Sequence, residues 1–504
     1  MTRVPSVSRN MAANLIGQGV VAVVTIVFVP TYIRYLGMEA FGLIGLFITA
    51  QALMTLFDAG MSPTLNREMA RYTSGALELQ DLVDLIRSIE VIAGGIALLI
   101  VVGFAGAAGV ISRALLNLDT LAPDTARMAL AIMGVVVAPR FVESIYRSAL
   151  LGLQLQVWFN IANAGVNIVR HAGAAFVVAF VSPTIEAFFL WHLGVAVAGT
   201  LLLRAKLGSA HPRPDRPARF SPAALRSIQT FAAGMFGINL LAVMLTQVDK
   251  LLLVKLLPLA QFGAYSLAFT VASVLLVLSA AVNQAILPVM VEQISGDHPQ
   301  ALVATHDRTA QIIAAIVVPA AMVLIVFSND VLMLWSGDPA LVESTARLVA
   351  LVAIGNMFNA LMVLPYFAMV AHGWTRLSML SNLVAVIVLV PALVVIVPIH
   401  DTVGAASVWI ALNAGYVLVQ APLMHRRILR NGLWPWYRHG VVVPILVAGG
   451  VGAGLAWLRD GVVIPRFGLI ASLGLAWGVL TLAVLMVLPV ARARLAQWSR
   501  RGGD

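Results

Sequence analysis

The residues able to do chemistry in this chain are charges set inside apolar runs. Arg140, Glu143 and Arg147 stand at i, i+3 and i+7 of one such run, hence on one face of a helix. Together they carry a net charge of +1, so one guanidinium remains to hold an anion. A structural ladder, with Glu143 paired to either arginine, is the competing reading. Arg170 lies near the middle of the next run, one and two turns after Asn167 and Asn163, with no acid in its own run. Its planar fork suits two phosphate oxygens at once; the alternative is a salt bridge to Glu143 or Asp58 on a neighbouring helix. Asp249, followed by Lys250, is an acid able to bind a proton or a sodium ion. Lys250 and Lys255 read as snorkelling to the interface. Asp58, near the end of the second run, reads as a helix-end ion pair with Arg67 or Arg71 before any role in ion coupling.

Other chemistries find no support. There is no phosphate-binding loop of the nucleotide-hydrolysing type. His171, His192 and His306 are isolated in sequence and lack metal-ligand spacing. No cysteine is present, which removes disulfides and thiol chemistry. The outer loops are all short, the longest near 112–125 and 328–342, so no acid pair sits in a sizeable outer loop as a glycosyltransferase would need. The expectation is a protein that is not an enzyme and needs no metal or cofactor.

The elements that position these charges follow from composition. Of 504 residues, 61% are hydrophobic and 11% charged, too few charges for the surface of a soluble protein of this size. The apolar runs are continuous rather than alternating, which excludes a β-barrel. Fourteen spans are expected, near 11–33, 41–62, 89–111, 126–149, 158–180, 184–203, 228–256, 263–291, 309–328, 343–370, 379–398, 404–423, 440–458 and 467–489. The net charge of +10 is explained by topology rather than nucleic acid. With the N-terminus inside, cytoplasmic segments hold most of the arginines, including Arg67, Arg71, Arg204, Arg213, Arg426, Arg427, Arg494 and Arg501. Outer segments hold only Arg34, Arg113, Arg459 and Arg466. Both termini are therefore expected in the cytoplasm. The basic start runs straight into a full span, which reads as a retained helix rather than a cleaved signal. Asn10, Asn14 and Gln18 form one polar stripe on the first helix, facing neighbouring helices or a watery cavity. Pro139, Pro319, Pro365, Pro391 and Pro444 lie inside spans as candidate bending points.

A Pro- and Arg-rich stretch at 204–222 separates two blocks of six spans, and the second repeats the first. At one constant offset, Phe41-Gly42 falls on Phe262-Gly263, Ser74-Gly75 on Ser295-Gly296, and Gly152 on Gly373. Asp58 falls on Ser279, so its acid is not repeated. Six spans per block give two copies of the same orientation. The expected organisation is a six-helix lobe (1–205), a basic cytoplasmic linker (206–226), a second six-helix lobe (227–424), and two further helices with a basic tail (425–504).

The stretches RNMAANLIGQGV, RYLGMEAFGL, DAGM with NREMARY, and QFGAYSLAF resemble the Wzx-type polysaccharide and oligosaccharide flippases. These belong to the multidrug/oligosaccharidyl-lipid/polysaccharide exporter superfamily. The resemblance covers both lobes. It implies an all-α polytopic membrane protein: a V-shaped transporter of two parallel six-helix lobes plus two extra C-terminal helices, working by alternating access in the bacterial cytoplasmic (inner) membrane. It implies a substrate of undecaprenyl-diphosphate-linked glycan, moved to the periplasmic leaflet for O-antigen, capsule or exopolysaccharide assembly. Membrane lipids, H+ or Na+, and a polysaccharide polymerase with other assembly proteins are the partners it suggests. On that reading Arg140, Arg147 and Arg170 meet the diphosphate. Asn14, Gln18, Asn163, Asn167, Asn356 and Asn359 meet the sugars, and Glu143, Asp249 and Asp58 serve ion coupling or structural pairing. The closely spaced arginines of the lipid II flippases have no counterpart, since Arg9 precedes the first span and Arg34 follows it. A cation-coupled exporter of drugs or small amphiphiles is the alternative, and a membrane enzyme of glycan assembly a distant one.

Overall fold

The computed structural model describes residues 7–493 apart from 211, 213, 215, 431 and 463. Arg213, Arg494 and Arg501 and the side chain of Asn10 lie outside the described residues. The described chain is built of helices and contains no strand. That is what an apolar chain must do in hydrocarbon, where each backbone N–H and C=O has to be satisfied within its own segment.

Eleven helices among the described residues are long and apolar enough to cross a membrane. Fourteen were expected, and the difference has three sources. The first helix shows a described apolar stretch of only Ile16–Val27. The helix Pro222–Leu256 includes side chains that are not described. The expected spans 379–398 and 404–423 form one run, Arg376–Leu429, broken at Asp401 (φ 50, ψ −139).

The chain divides into two compact units, Met1–Gly263 and Ala264–Asp504. The first holds α1 (Val7–Val27), α2 (Val29–Phe57), α3 (Met61–Thr73), α4 (Leu79–Val110), α5 (Pro123–Gly152), α6 (Gln156–Phe176), α7 (Ile185–Ser209) and α8 (Pro222–Leu256). Between the expected spans 11–33 and 41–62, α2 is continuous apart from a break at Gly37, which takes φ 83. α5 is central and packs on α2, α3, α4 and α7. Its buried face runs through Ala126, Ala129, Leu130, Met133, Val136 and Val137, then Ile145, Ala149 and Leu150. Alanines at that seam let helices approach closely where lipid supplies no hydrophobic drive between them. α8 was expected to open the second lobe. It packs instead on α2, α3 and α4 and counts with the first unit. The end of the linker is pinned to α4: Asp84 pairs with Arg216 at 2.7 Å and accepts from the Arg219 N–H at 2.9 Å, and Ser88 Oγ accepts from the Ser221 N–H at 2.8 Å.

The second unit takes in most of α9 (Leu259–Ala272), then α10 (Val274–Ser295), α11 (Pro299–Val326), α12 (Ser328–Ser336), α13 (Pro339–Ala371) and α14 (Thr375–Gly415). α13 is buried among α10, α11, α12 and α14. The helices Val443–Arg459 and Gly468–Val487 pack on each other and on α11. Arg459 pairs with Asp330, and the Arg466 guanidinium donates to the Leu334 carbonyl. Pro139, Pro319, Pro365 and Pro391 lie within helices, and Pro444 lies within the continuous span Leu433–Arg459.

The matched glycines of the repeat do different work. A Cβ on Gly42 would stand 2.5 Å from the Leu259 carbonyl, and one on Gly263 would stand 2.4 Å from that of Met38. Equivalent Phe-Gly pairs thus face each other. Gly152 and Gly373 diverge: the first lies against Asn66 and Met69 of α3, the second is a turn at φ 71 with open space around it.

Candidate substrate cavity

Within the first unit, a cavity of about 620 Å³ opens beside α5. α5 supplies Val137, Arg140, Phe141, Glu143, Ser144, Arg147 and Ser148, the face that the i, i+3, i+7 spacing defines. α2 adds Gln51, Met54 and Thr55, the turn after it Asp58, α3 Ser62 and Pro63, α6 Asn163, and α8 Val243. The wall is therefore polar and charged in a part of the chain that is otherwise apolar.

Arg140 and Arg147 have no hydrogen-bond or ion-pair partner among the described residues, and Arg147 is exposed. A charge at the bilayer centre costs roughly 2.5–3.5 kcal/mol on insertion scales, less where water or an anion reaches it. A hydrated cavity is how these two are tolerated without a direct ion pair. The acid expected to pair with them, Glu143, gives its contact within 4 Å to another arginine. Glu143 Oε2 lies 3.5 Å from Arg170 Nη2.

Arg170 does not line the cavity. It is 1% exposed, behind Glu143, and donates from Nη1 to Asn167 Oδ1 at 2.9 Å. Asn167 in turn donates to the side-chain and main-chain oxygens of Asn163 at 3.0 and 2.8 Å. Of the two amides placed near Arg170 by sequence, Asn163 reaches the cavity and Asn167 is a buried link to it. The salt bridge to Glu143, the competing reading of Arg170, is the arrangement present.

Asp58 lines the cavity but makes neither expected ion pair. Arg67 and Arg71 both bind Glu68. Asp58 instead accepts from the Ser62 N–H at 3.1 Å and from its hydroxyl at 2.7 Å, capping the start of α3. It stands past the end of the membrane-spanning part of α2. Burial pushes its carboxyl above the usual aspartate range, while the Ser62 hydrogen bonds pull it back. A helix N-terminus offers free N–H groups to such an acid, whereas Arg67 and Arg71 lie about two and three turns further along α3.

The remaining candidates lie elsewhere. Asn14 accepts from Asn160 at 2.6 Å, so this end of the polar stripe seals α1 to α6, and Gln18 is exposed. Asp249 is buried, with the Lys250 ammonium folded back on it at 3.2 Å. Asn356 and Asn359 belong to the second unit. There Asn356 accepts from Trp409 at 3.0 Å and Asn359 donates to Asn413 at 2.7 Å, tying α13 to α14. Sequence reasoning passed over Ser144, Ser148 and Gln51. The first two follow from the same helical face as Arg140 and Arg147; nothing in the sequence singles out Gln51.

Comparison with known proteins places this geometry. The family model described as "Polysaccharide biosynthesis protein" matches residues 7–293, and the model MatE matches 235–396. A "Putative O-antigen transporter" of Shigella flexneri is 21% identical over 411 residues, covering 80% of this chain and 94% of the relative. Among solved structures, the lipid II flippase MurJ in an inward closed conformation superposes with a TM-score of 0.68 at 11% identity, over 94% of this chain and 97% of that one. An inward-facing multidrug resistance MATE family transporter gives 0.63 at 15% identity, over 83% and 94%. The fold is thus that of the exporter superfamily, and with more than half of its length matched by the family model, the chain belongs to the polysaccharide biosynthesis protein family as a multi-pass membrane transporter.

Proposed function

We propose that this transporter is a flippase for undecaprenyl-diphosphate-linked oligosaccharide. It moves repeat units from the cytoplasmic to the periplasmic leaflet of the bacterial cytoplasmic membrane, for O-antigen, capsule or exopolysaccharide assembly. One observation carries the reading: Arg140 and Arg147 face a cavity with polar walls and make no hydrogen bond or ion pair among the described residues. A diphosphate must lose bulk water to cross a low-dielectric layer, and two unpaired guanidiniums replace that hydration. Ser144, Ser148, Gln51 and Asn163 on the same walls offer hydrogen bonds to sugar hydroxyls. The polyprenyl tail is as apolar as the lipid around it and has no need to enter the cavity. The name of the Shigella flexneri relative supports the glycan class.

A cation-coupled exporter of drugs or small amphiphiles is the second reading, favoured by the MatE match over 235–396. The unpaired arginines argue against a cationic cargo. Transport in liposomes separates the two. With fluorescent lipid-linked sugar, the wild-type chain is expected to carry label across the bilayer. Arg140→Ala and Arg147→Ala each lower the rate about tenfold, the worth of a hydrogen-bonded charge contact. Movement of a cationic dye with no movement of the lipid-linked sugar overturns the proposal.

A further inference from the structure

Arg170 is a guanidinium with most of its fork empty. It has five N–H donors, and only Nη1 makes a good hydrogen bond, to Asn167. Nε and Nη2 are buried without a hydrogen-bond partner, as is Glu143 Oε2 opposite them. The 3.5 Å Nη2–Oε2 separation exceeds the roughly 2.7–2.9 Å of a charge-assisted bond, and the pair is not bidentate. A structural clamp built for strength would close that gap. This pair is held loosely, in a position where both partners remain unsatisfied.

Glu143 is also the one member of the pair that touches the cavity. On α5 it stands between Arg140 and Arg147, so an anion bridging those two arginines lies over its carboxylate. The two like charges repel. Asn163 connects the cavity to Arg170 through Asn167 by a second route.

We infer that Glu143 is a stand-in for the substrate's anion: its carboxylate holds Arg170 while the cavity is empty and gives way when a diphosphate arrives, so that Arg170 becomes the third cation of the site. The inference rests on the anionic-substrate reading above and adds to it a competition built into the empty protein. Arg170 is thereby a latent ligand, hidden at rest and exposed by exchange of one anion for another.

The test uses the purified full chain in detergent, with inorganic pyrophosphate as the probe and binding read by calorimetry. Glu143→Gln removes the competing charge at nearly constant volume and is expected to tighten binding by about tenfold. In an Arg170→Gln background the same change is expected to gain nothing, because the cation competed for is gone. An equal gain in both backgrounds overturns the inference, since Glu143 then acts only as a charge on the wall. No gain from Glu143→Gln also overturns it. In that case, pyrophosphate binding by the wild-type chain that is lost in Arg140→Gln/Arg147→Gln leaves the anionic-substrate reading standing. No binding by either the wild-type chain or Glu143→Gln overturns both. Should Glu143→Gln fail to insert, Glu143→Ala is measured in the same two backgrounds, with the same outcomes deciding.

Discussion

At the scale of single residues, the structure shows how one acid is spent away from the cavity. Glu39, just past the break in α2, is 6% exposed. It accepts from the main-chain N–H groups of Asp119, Thr120 and Leu121 at 2.8–2.9 Å and from the Thr120 hydroxyl. It thus anchors the segment leading into α5, the helix that carries Arg140 and Arg147. Glu39→Ala leaves three N–H groups without their acceptor and should cost about 3 kcal/mol. Thermal unfolding of the detergent-solubilised protein, followed by loss of monodisperse elution, measures that loss. An unchanged midpoint would show that water replaces the carboxylate. Sequence reasoning assigned Arg140, Glu143 and Arg147 to one face correctly, because helical spacing alone decides that. It could not tell which neighbour covers a face. Arg170, Glu39 and Asp58 each have partners from another element or turn, and nothing in local spacing reveals them.

At the scale of elements, the small residues decide how close the helices come. Gly42 and Gly263, equivalent in the repeat, each lie against the other copy's main chain. Phe41 and Phe262 beside them are buried. A methyl group at either position would stand within 2.5 Å of a carbonyl oxygen, closer than any real contact. Gly42→Ala and Gly263→Ala are therefore each expected to destabilise by about 1–3 kcal/mol through forced backbone shifts. Their effects should couple in the double variant because they share one contact. Gly373→Ala meets no neighbour, but its φ of 71 makes the substitution strained in its own turn. Midpoints of thermal unfolding for the four variants check these effects, and a fully additive double would show two independent sites. The repeat was legible in the sequence as a string of matched positions. Its physical content was not: Gly42 and Gly263 are both close approaches, whereas of the pair Gly152 and Gly373 only the first is, the second being a turn in open space.

At the scale of the whole molecule, the distribution of arginines carries an orientation. Hydrophobic length sets where the chain crosses, and the excess of Lys and Arg in cytoplasmic loops sets which way. The apolar runs of the sequence mark most of the helices well. The boundary between compact units was less visible, since the basic stretch 204–222 looks like a tether and its end is instead bound to Asp84 and Ser88 of α4. A pinned linker and an α8 that packs with the first unit need contacts that composition does not encode. The proposed topology places Ser209 and Asp297 on the cytoplasmic side, and Asp119 and Asp338 on the outer side. Because the chain has no cysteine, single Cys substitutions at these four positions can be made without altering any native thiol. In intact cells whose outer barrier has been made permeable, a membrane-impermeant maleimide should label Asp119→Cys and Asp338→Cys. It should reach Ser209→Cys and Asp297→Cys only after the inner membrane is opened. The reverse pattern would invert the proposed direction of transport. Labelling of Asp119→Cys and Asp297→Cys together would mean an even number of crossings between them, against the odd number that the two same-facing repeats require.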